Sequence, residues 1–540
     1  MLYIFFSLLI LLPALSGIGK LFNYNFGELL SGFSGYLFSG ILVSTFYFCI
    51  ISFFFPLNIF LEISTILIGL TSFFYFKLWK ELWIFLKLNY RIFSIVTAII
   101  LLFGSFYPFI LDHFGYYVPT IKWLSEIGLS KGISNLDLLL GQMSFWHFLE
   151  AGFSHFTDLY LRLNTVLMVF YLIFILEKKS WFHFLFFPVL LLFTQSPSPD
   201  LPVIILSLII LNEILIGNKN SKLLFALSIF VFAIKPTMIW VPIFTLLYSI
   251  FFLKSKLKFI FLGSIIFLLF IIKNLYTFGF PVFPISILDF NLSWKPNAEL
   301  LKISSETAIQ KTYDMQYSVV QISQFSTSDY VKNWLFLNGI KSVIHWSFLI
   351  LILIFTLFAF KKNKKIIYFL WISILLKSIL VILFSAQYRF FIDVFFVIFF
   401  ILFYQIFTKN FILITSAILT SISFTVLSFP QLLQKYIPSF KLGYFMSGIS
   451  KDQFLKPAQF KLNNFSTHQI GNLKFNVVKD YPFSFDTPIP AISPEFLKED
   501  FDAGIFPQMI SNDLKDGFVW KKLTIQQHQQ LKLILKDLGY

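Results

Sequence analysis

The sequence predicts an all-α polytopic membrane protein that ends in a small mixed α/β domain outside the bilayer. Three observations carry that expectation: an apolar composition, the length of the apolar runs, and basic clusters set between them. Hydrophobic residues make up 57% of the 540 and charged residues 13%, and the mean hydropathy is +0.80, outside the range of soluble domains. A net charge of +15 would suggest nucleic acid as the partner of a soluble chain. Here the basic residues fall in short clusters between apolar runs, where they set topology, so no nucleic acid is expected and the lipid bilayer is the first partner. Cys49, the single cysteine, lies inside an apolar run, which excludes an intrachain disulfide and a metal site of the cysteine type.

A bilayer core about 30 Å thick takes about 20 apolar residues per helix. On that measure spans are expected at 2–19, 35–56, 59–76, 92–111, 158–176, 181–195, 200–216, 222–234, 237–253, 257–273, 343–360, 366–385, 389–407 and 411–428, about fourteen in all. The first begins at Met1 with no basic leader and no small-residue cleavage site, and is expected to be a retained helix. The runs 181–195 and 222–234 are short, and the second meets "IKPT", where Pro236 should end it.

Basic clusters at 77–91, 177–179, 218–222, 254–258, 361–365 and 408–410 stand at every second boundary. The positive-inside rule puts all six in the cytoplasm. Outward then lie 112–157, "SPSPD" (196–200), Lys235, 274–342, "QYR" (387–389) and the tail from about 429. The tail, 431–540, alternates short strand patterns with Pro turns and reads as the outer domain. Residues 1–91, whose outward loops carry almost nothing polar, are expected as an addition to a transmembrane module over 92–430.

Sorted by side, the unusual polar residues fall mostly outward, whereas the inner face has mainly lysine. Ionisable groups at membrane depth line a cavity or pair with one another. Asp112 and His113 close the run 92–111, and a half-buried carboxylate there suits a general base; a helix end in water is the plainer alternative. The following stretch, Phe114–Gly132, has helical apolar spacing and is expected to lie along the membrane interface.

Three of the 42 basic side chains are arginine. Arg91 belongs to a cytoplasmic cluster, while Arg162 and Arg389 stand at outer helix ends, where a planar fork grips phosphate. For Arg389 an i to i+4 pair with Asp393 is the alternative, and the two are compatible. "QSPSPDLP" sets Ser196, Ser198 and Asp200 in an outward turn suited to an N-cap or a metal. "KNLYTFGFPVFP", with Lys273 and Asn274, and "SWKPN" open a long outer loop. There is no GxGxxG, Walker lysine loop, HExxH or GxSxG, so nucleotide chemistry, zinc proteolysis and serine hydrolysis are unsupported.

The series "LDHFGYYVPTIKW", "SPSPDLP", "KNLYTFGFPVFP" with "SWKPN", and "AQYRFFID", in this order and on this side, resembles bacterial multipass membrane proteins related to the GT-C glycosyltransferases. The resemblance covers roughly 92–410, with the tail stretch "YPFSFDTPIPAISP" beside it. It implies a GT-C-like module in the bacterial cytoplasmic membrane, active on its extracytoplasmic face. A sugar would pass from a polyprenyl phosphate to a cell-envelope glycan, lipid or protein. Carried over, Asp112 is the catalytic acid of the first outward loop and Arg389 the phosphate ligand, aided by Lys273, Lys235 and Arg162. His113, Tyr117, Ser198, Asp200 and Asn274 complete the expected substrate-binding set. Many such enzymes carry two adjacent acids where this chain has Asp112 followed by His113, which leaves a divalent metal cofactor open. A flippase for lipid-linked glycans is the alternative of another class; it needs polar groups at the midplane, of which Lys377 stands out. A polymerase or ligase of surface polysaccharide shares donor and side.

Overall fold

The computed structural model describes residues 1–431, 435, 448–461 and 464–540. Among the described residues, seven helices are long and apolar enough to cross a membrane: Leu2–Phe26, Phe33–Ser52, Leu78–Gly104, Leu257–Thr277, Ile340–Lys362, Lys365–Phe384 and Lys409–Ser428. The other expected spans are shorter helical segments, Ile59–Tyr75, Leu163–Lys178, Trp181–Phe193, Asp200–Leu215, Ser221–Ile234, Pro236–Phe252 and Ile392–Phe403. A helix of this kind, 16 residues in Asp200–Leu215, is about 24 Å long, short of the hydrocarbon thickness. Every residue from Leu201 to Ile214 is buried, so protein rather than lipid surrounds it and no match to the bilayer is imposed. Pro236 ends its helix as expected, leaving Lys235 extended at the C-cap.

Hydrogen bonds sort the helix ends into two groups. At one end Lys178 donates to the Ser31 carbonyl, Asn218 to that of Leu29, and the Tyr248 hydroxyl to that of Asn218. At the other the Leu129 N–H reaches the Ser52 carbonyl, and the Glu62 carboxylate accepts the N–H groups of His155, Phe156 and Thr157.

One expectation changes. The cluster 77–91 is not a connection but the first half of Leu78–Gly104, which has no proline and no glycine before its last residue. Residues 1–91 pack closely on the rest of the bundle and share its core. Gly17 lets its helix cross Ile59–Tyr75 at backbone contact, since a Cβ there would lie 1.9 Å from the Gly69 carbonyl oxygen. The N–H groups of Phe33 and Ser34 donate to Glu177 on Leu163–Lys178, at 2.7 and 2.9 Å.

Region 112–157, expected to face outward, starts with a π-helical turn, His113–Tyr117, and the helix Val118–Glu126. Ile121, Trp123 and Leu124 of that helix are buried, and Lys122 donates to the carbonyls of Asp486 and Thr487. The stretch expected to rest on the membrane is therefore covered by the C-terminal region. Region 274–342 holds the helices Ala298–Thr312, Val319–Ser323 and Thr327–Leu335.

The C-terminal region mixes α and β structure. Phe465–Ile470 pairs antiparallel with Leu473–Val478, and Ile505–Met509 with Phe518–Lys522. Helices Pro494–Asp502 and Ile525–Asp537 accompany them. Within the expected domain 431–540, residues 432–434, 436–447 and 462–463 lie outside those described. The Phe485 N–H donates to the Phe114 carbonyl and that of Phe518 to Lys131, which docks the region on segment 112–157.

Candidate functional site

Asp112 stands at the start of the π turn His113–Tyr117. Such a turn is wider than an α turn and is frequent at functional sites. It carries His113, Tyr116 and Tyr117 into the protein while the Asp112 side chain stays 29% exposed. Across from it, the 3-10 turn Tyr388–Phe390 between Lys365–Phe384 and Ile392–Phe403 presents Arg389. Arg389 Nη1 donates to Asp112 Oδ2 at 2.7 Å.

A second ion pair joins Lys235, at the end of Ser221–Ile234, to Asp200, at the start of Asp200–Leu215. The Ser198 hydroxyl donates to Asp200 Oδ2 and accepts the Asp200 N–H, each at 3.2 Å, which fixes the start of that helix. The two pairs share an aromatic neighbour: Lys235 Nζ lies 5.5 Å and the Arg389 guanidinium 5.0 Å from the centre of the Phe390 ring. Tyr117 lies beside Ser198, and burial, with Tyr116, Asp112 and Asp200 adding to it, pushes its phenol well above the ordinary range. His113 meets Ser196 at 3.1 Å. Burial, with Arg162 adding, holds its imidazole well below the ordinary value, so it stands neutral.

Behind the turn that carries Arg389 lies a third pair, Lys377 with Asp393, closed to solvent. Trp240 Nε1 donates to the same Asp393 at 2.8 Å. Asp393 is thus not the partner of Arg389; it anchors the helix that follows.

The structure brings together Asp112, Tyr117, Ser198, Asp200, Lys235 and Arg389, with His113 on the buried side of the same turn. Three expected ligands lie elsewhere. Arg162, 1% exposed, spends its fork on the carbonyls of Gly104, Tyr160 and Ala458 at 2.9, 2.7 and 2.9 Å. Lys273 donates to the Gln142 carbonyl at 2.9 Å and Asn274 to that of Pro281 at 2.8 Å, both 1% exposed. These side chains donate to backbone carbonyls and tie neighbouring segments together.

Sequence reasoning missed Tyr116, Phe390 and Trp240. Doubled aromatics next to named residues, "YY" and "RFF", are the signal available for the first two. It also missed the cover: Phe114 packs with Val478, Tyr481 and Phe485 of the C-terminal region. Among the described residues no group of three or more His, Cys, Asp or Glu side chains is placed to hold a metal ion.

Apolar helices of membrane length and an ion-paired cluster at one end of the bundle define a helical membrane protein. The chain belongs to the family described as a domain of unknown function, DUF8201, whose model matches residues 1–396. That match takes in the N-terminal helices together with Asp112, Asp200, Lys235 and Arg389. No curated protein matches the chain, and no solved structure does.

Proposed function

We propose that the chain is a membrane glycosyltransferase of GT-C type that takes its sugar from a polyprenyl phosphate on the extracytoplasmic face of a bacterial cytoplasmic membrane. The shorter helices count as crossings too in this reading, which gives about fourteen passes. The observation that carries it is the meeting of Asp112 with Arg389 across 277 residues of sequence. A carboxylate able to take a proton and a fork able to hold phosphate stand within one hydrogen bond of each other. In the reaction the acceptor oxygen forms its bond to the anomeric carbon as the bond to the phosphate oxygen breaks. The hydroxyl proton passes to Asp112, and the departing prenyl phosphate keeps the electron pair and leaves as an anion beside Arg389 and Lys235. Asp200 supplies a carboxylate for the sugar, with Ser198 and the buried Tyr117 behind it, and the acceptor is a cell-envelope glycan, lipid or protein.

The test is transfer from a lipid-linked sugar by purified protein in nanodiscs. Asp112→Asn should lower turnover by about two to four orders of magnitude with the fold intact. Arg389→Lys should weaken both donor binding and turnover, because a point charge replaces the fork. Equal turnover by wild type and Asp112→Asn removes Asp112 from catalysis. A flippase for lipid-linked glycans is the second reading, and the buried Lys377–Asp393 pair is the observation on its side.

A further inference from the structure

Both cations of the site are already engaged, Arg389 by Asp112 and Lys235 by Asp200. A phosphate entering this site meets two carboxylates, and their repulsion opposes it unless one gives way. The two pairs are not equally held. Asp200 is also bonded to Ser198, and its pair is 17% and 14% exposed; Asp112 and Arg389 are 29% and 40% exposed. Partly solvated ion pairs contribute little and part easily. Arg389 is moreover incompletely used: one oxygen of Asp112 meets Nη1, while the buried Nε has no acceptor among the described residues. A fork with an unfilled edge fits an oxyanion that brings several oxygens.

We propose that Asp112 is a built-in occupant of the phosphate position on Arg389, and that a phosphate monoester or diester displaces it. The inference rests on the glycosyltransferase reading of this site. The exchange makes and breaks no covalent bond, but it imposes an order. With no donor bound, the carboxylate is held by the guanidinium and is idle; the donor phosphate takes Arg389 and leaves Asp112 free to meet the acceptor hydroxyl. Donor arrival thereby switches on the base, and water in the empty site is not activated.

The experiment measures binding of farnesyl phosphate, and separately of inorganic phosphate, to the purified full chain in nanodiscs. Asp112→Asn should bind farnesyl phosphate about tenfold more tightly than wild type, because the competing charge is gone. Asp112→Ser, which also removes the carboxylate, should show the same gain and guards against a folding defect in one variant. Arg389→Gln should weaken binding at least tenfold. Inorganic phosphate binding at least tenfold weaker than farnesyl phosphate identifies the lipid headgroup as the source; equal binding identifies free phosphate and overturns the lipid-donor reading together with the exchange. If Arg389→Gln loses binding while both Asp112 variants bind like wild type or more weakly, the exchange is overturned and the glycosyltransferase reading stands. If wild type binds neither ligand, or Arg389→Gln binds as wild type does, that reading falls with it.

Discussion

Asp137 offers a test of how the C-terminal region is docked. Its side chain caps the turn Leu138–Gly141 by accepting the Leu139 N–H at 3.0 Å, and it accepts the Ser493 hydroxyl at 3.4 Å. It is 2% exposed and Asp500 3%. Burial pushes the Asp137 carboxyl from 3.8 up to about 7. Burial, then Glu499 and Asp137, pushes Asp500 well above the ordinary range, and Glu495, Lys311 and Asp502 surround Glu499. The folded chain therefore keeps the Asp137 proton up to about pH 7, whereas the unfolded chain loses it near pH 4. Between those values the folded state binds more protons, so stability is greatest below about pH 4 and falls as pH rises to about 7. For Asp137 alone the loss is on the order of 4 kcal/mol, about a thousandfold in local opening. Asp137→Asn keeps the acceptor for Leu139 and has no proton to lose. Hydrogen exchange of peptides over 133–141 and 494–502, corrected for the chemical rate, should lose most of its protection in wild type between pH 5 and pH 8. In the variant the slope should be much shallower, with Asp500 supplying what remains. The same slope in both proteins would refute the assignment.

Other outcomes are accessible to simpler measurements. Cysteines introduced at the exposed positions Ser323 and Thr467 should react with an impermeant reagent outside intact cells, and one at Asn363 only after permeabilisation; labelling of all three from one side would overturn the topology. Arg162→Met leaves three carbonyls without their donor and Asp158 and Glu150 without their cation, and should destabilise by about 3–5 kcal/mol. The readout is loss of monodisperse protein, and a folded variant altered in substrate affinity alone would contradict the structural role. Lys377→Met should destabilise by about as much through the unpaired Asp393, and adding Asp393→Asn, which keeps an acceptor for Trp240 Nε1, should restore most of it. If the double variant is folded and transfers sugar normally, the pair serves only the fold.

Helix placement was legible because apolar run length is a one-dimensional signal that survives folding, whereas the basic cluster 77–91, read as a boundary, lies inside Leu78–Gly104. The short helices were harder, since Asp200–Leu215 is buried by protein and escapes the bilayer rule that sets length. Asp112 and Arg389 could be picked out because an acid at a helix end and a rare arginine are each conspicuous. Sequence could not separate Arg389 from Arg162. Both stand next to helix ends, and only the fold decides that Gly104, Tyr160 and Ala458 converge on one of them. Asp393 illustrates the same limit: its local partner at i−4 was Arg389, but the true one, Lys377, lies on the preceding helix. Lys273 and Asn274 were indistinguishable from ligands because a side chain that ties a loop to a neighbouring carbonyl needs the same polarity.

The contact between the Phe485 N–H and the Phe114 carbonyl bears on how the protein is made. During synthesis the segment with Asp112 leaves the ribosome early, whereas its cover follows only after almost all the helices have been inserted. Domains build in the order in which they emerge, so throughout insertion the π turn waits with Phe114 unroofed. A chain stalled or cut before residue 481 would insert its helices and carry both members of the Asp112–Arg389 pair, yet leave Phe114 without its roof of Tyr481 and Phe485. The turn that holds the acid is thus completed only by residues from the far end of the chain.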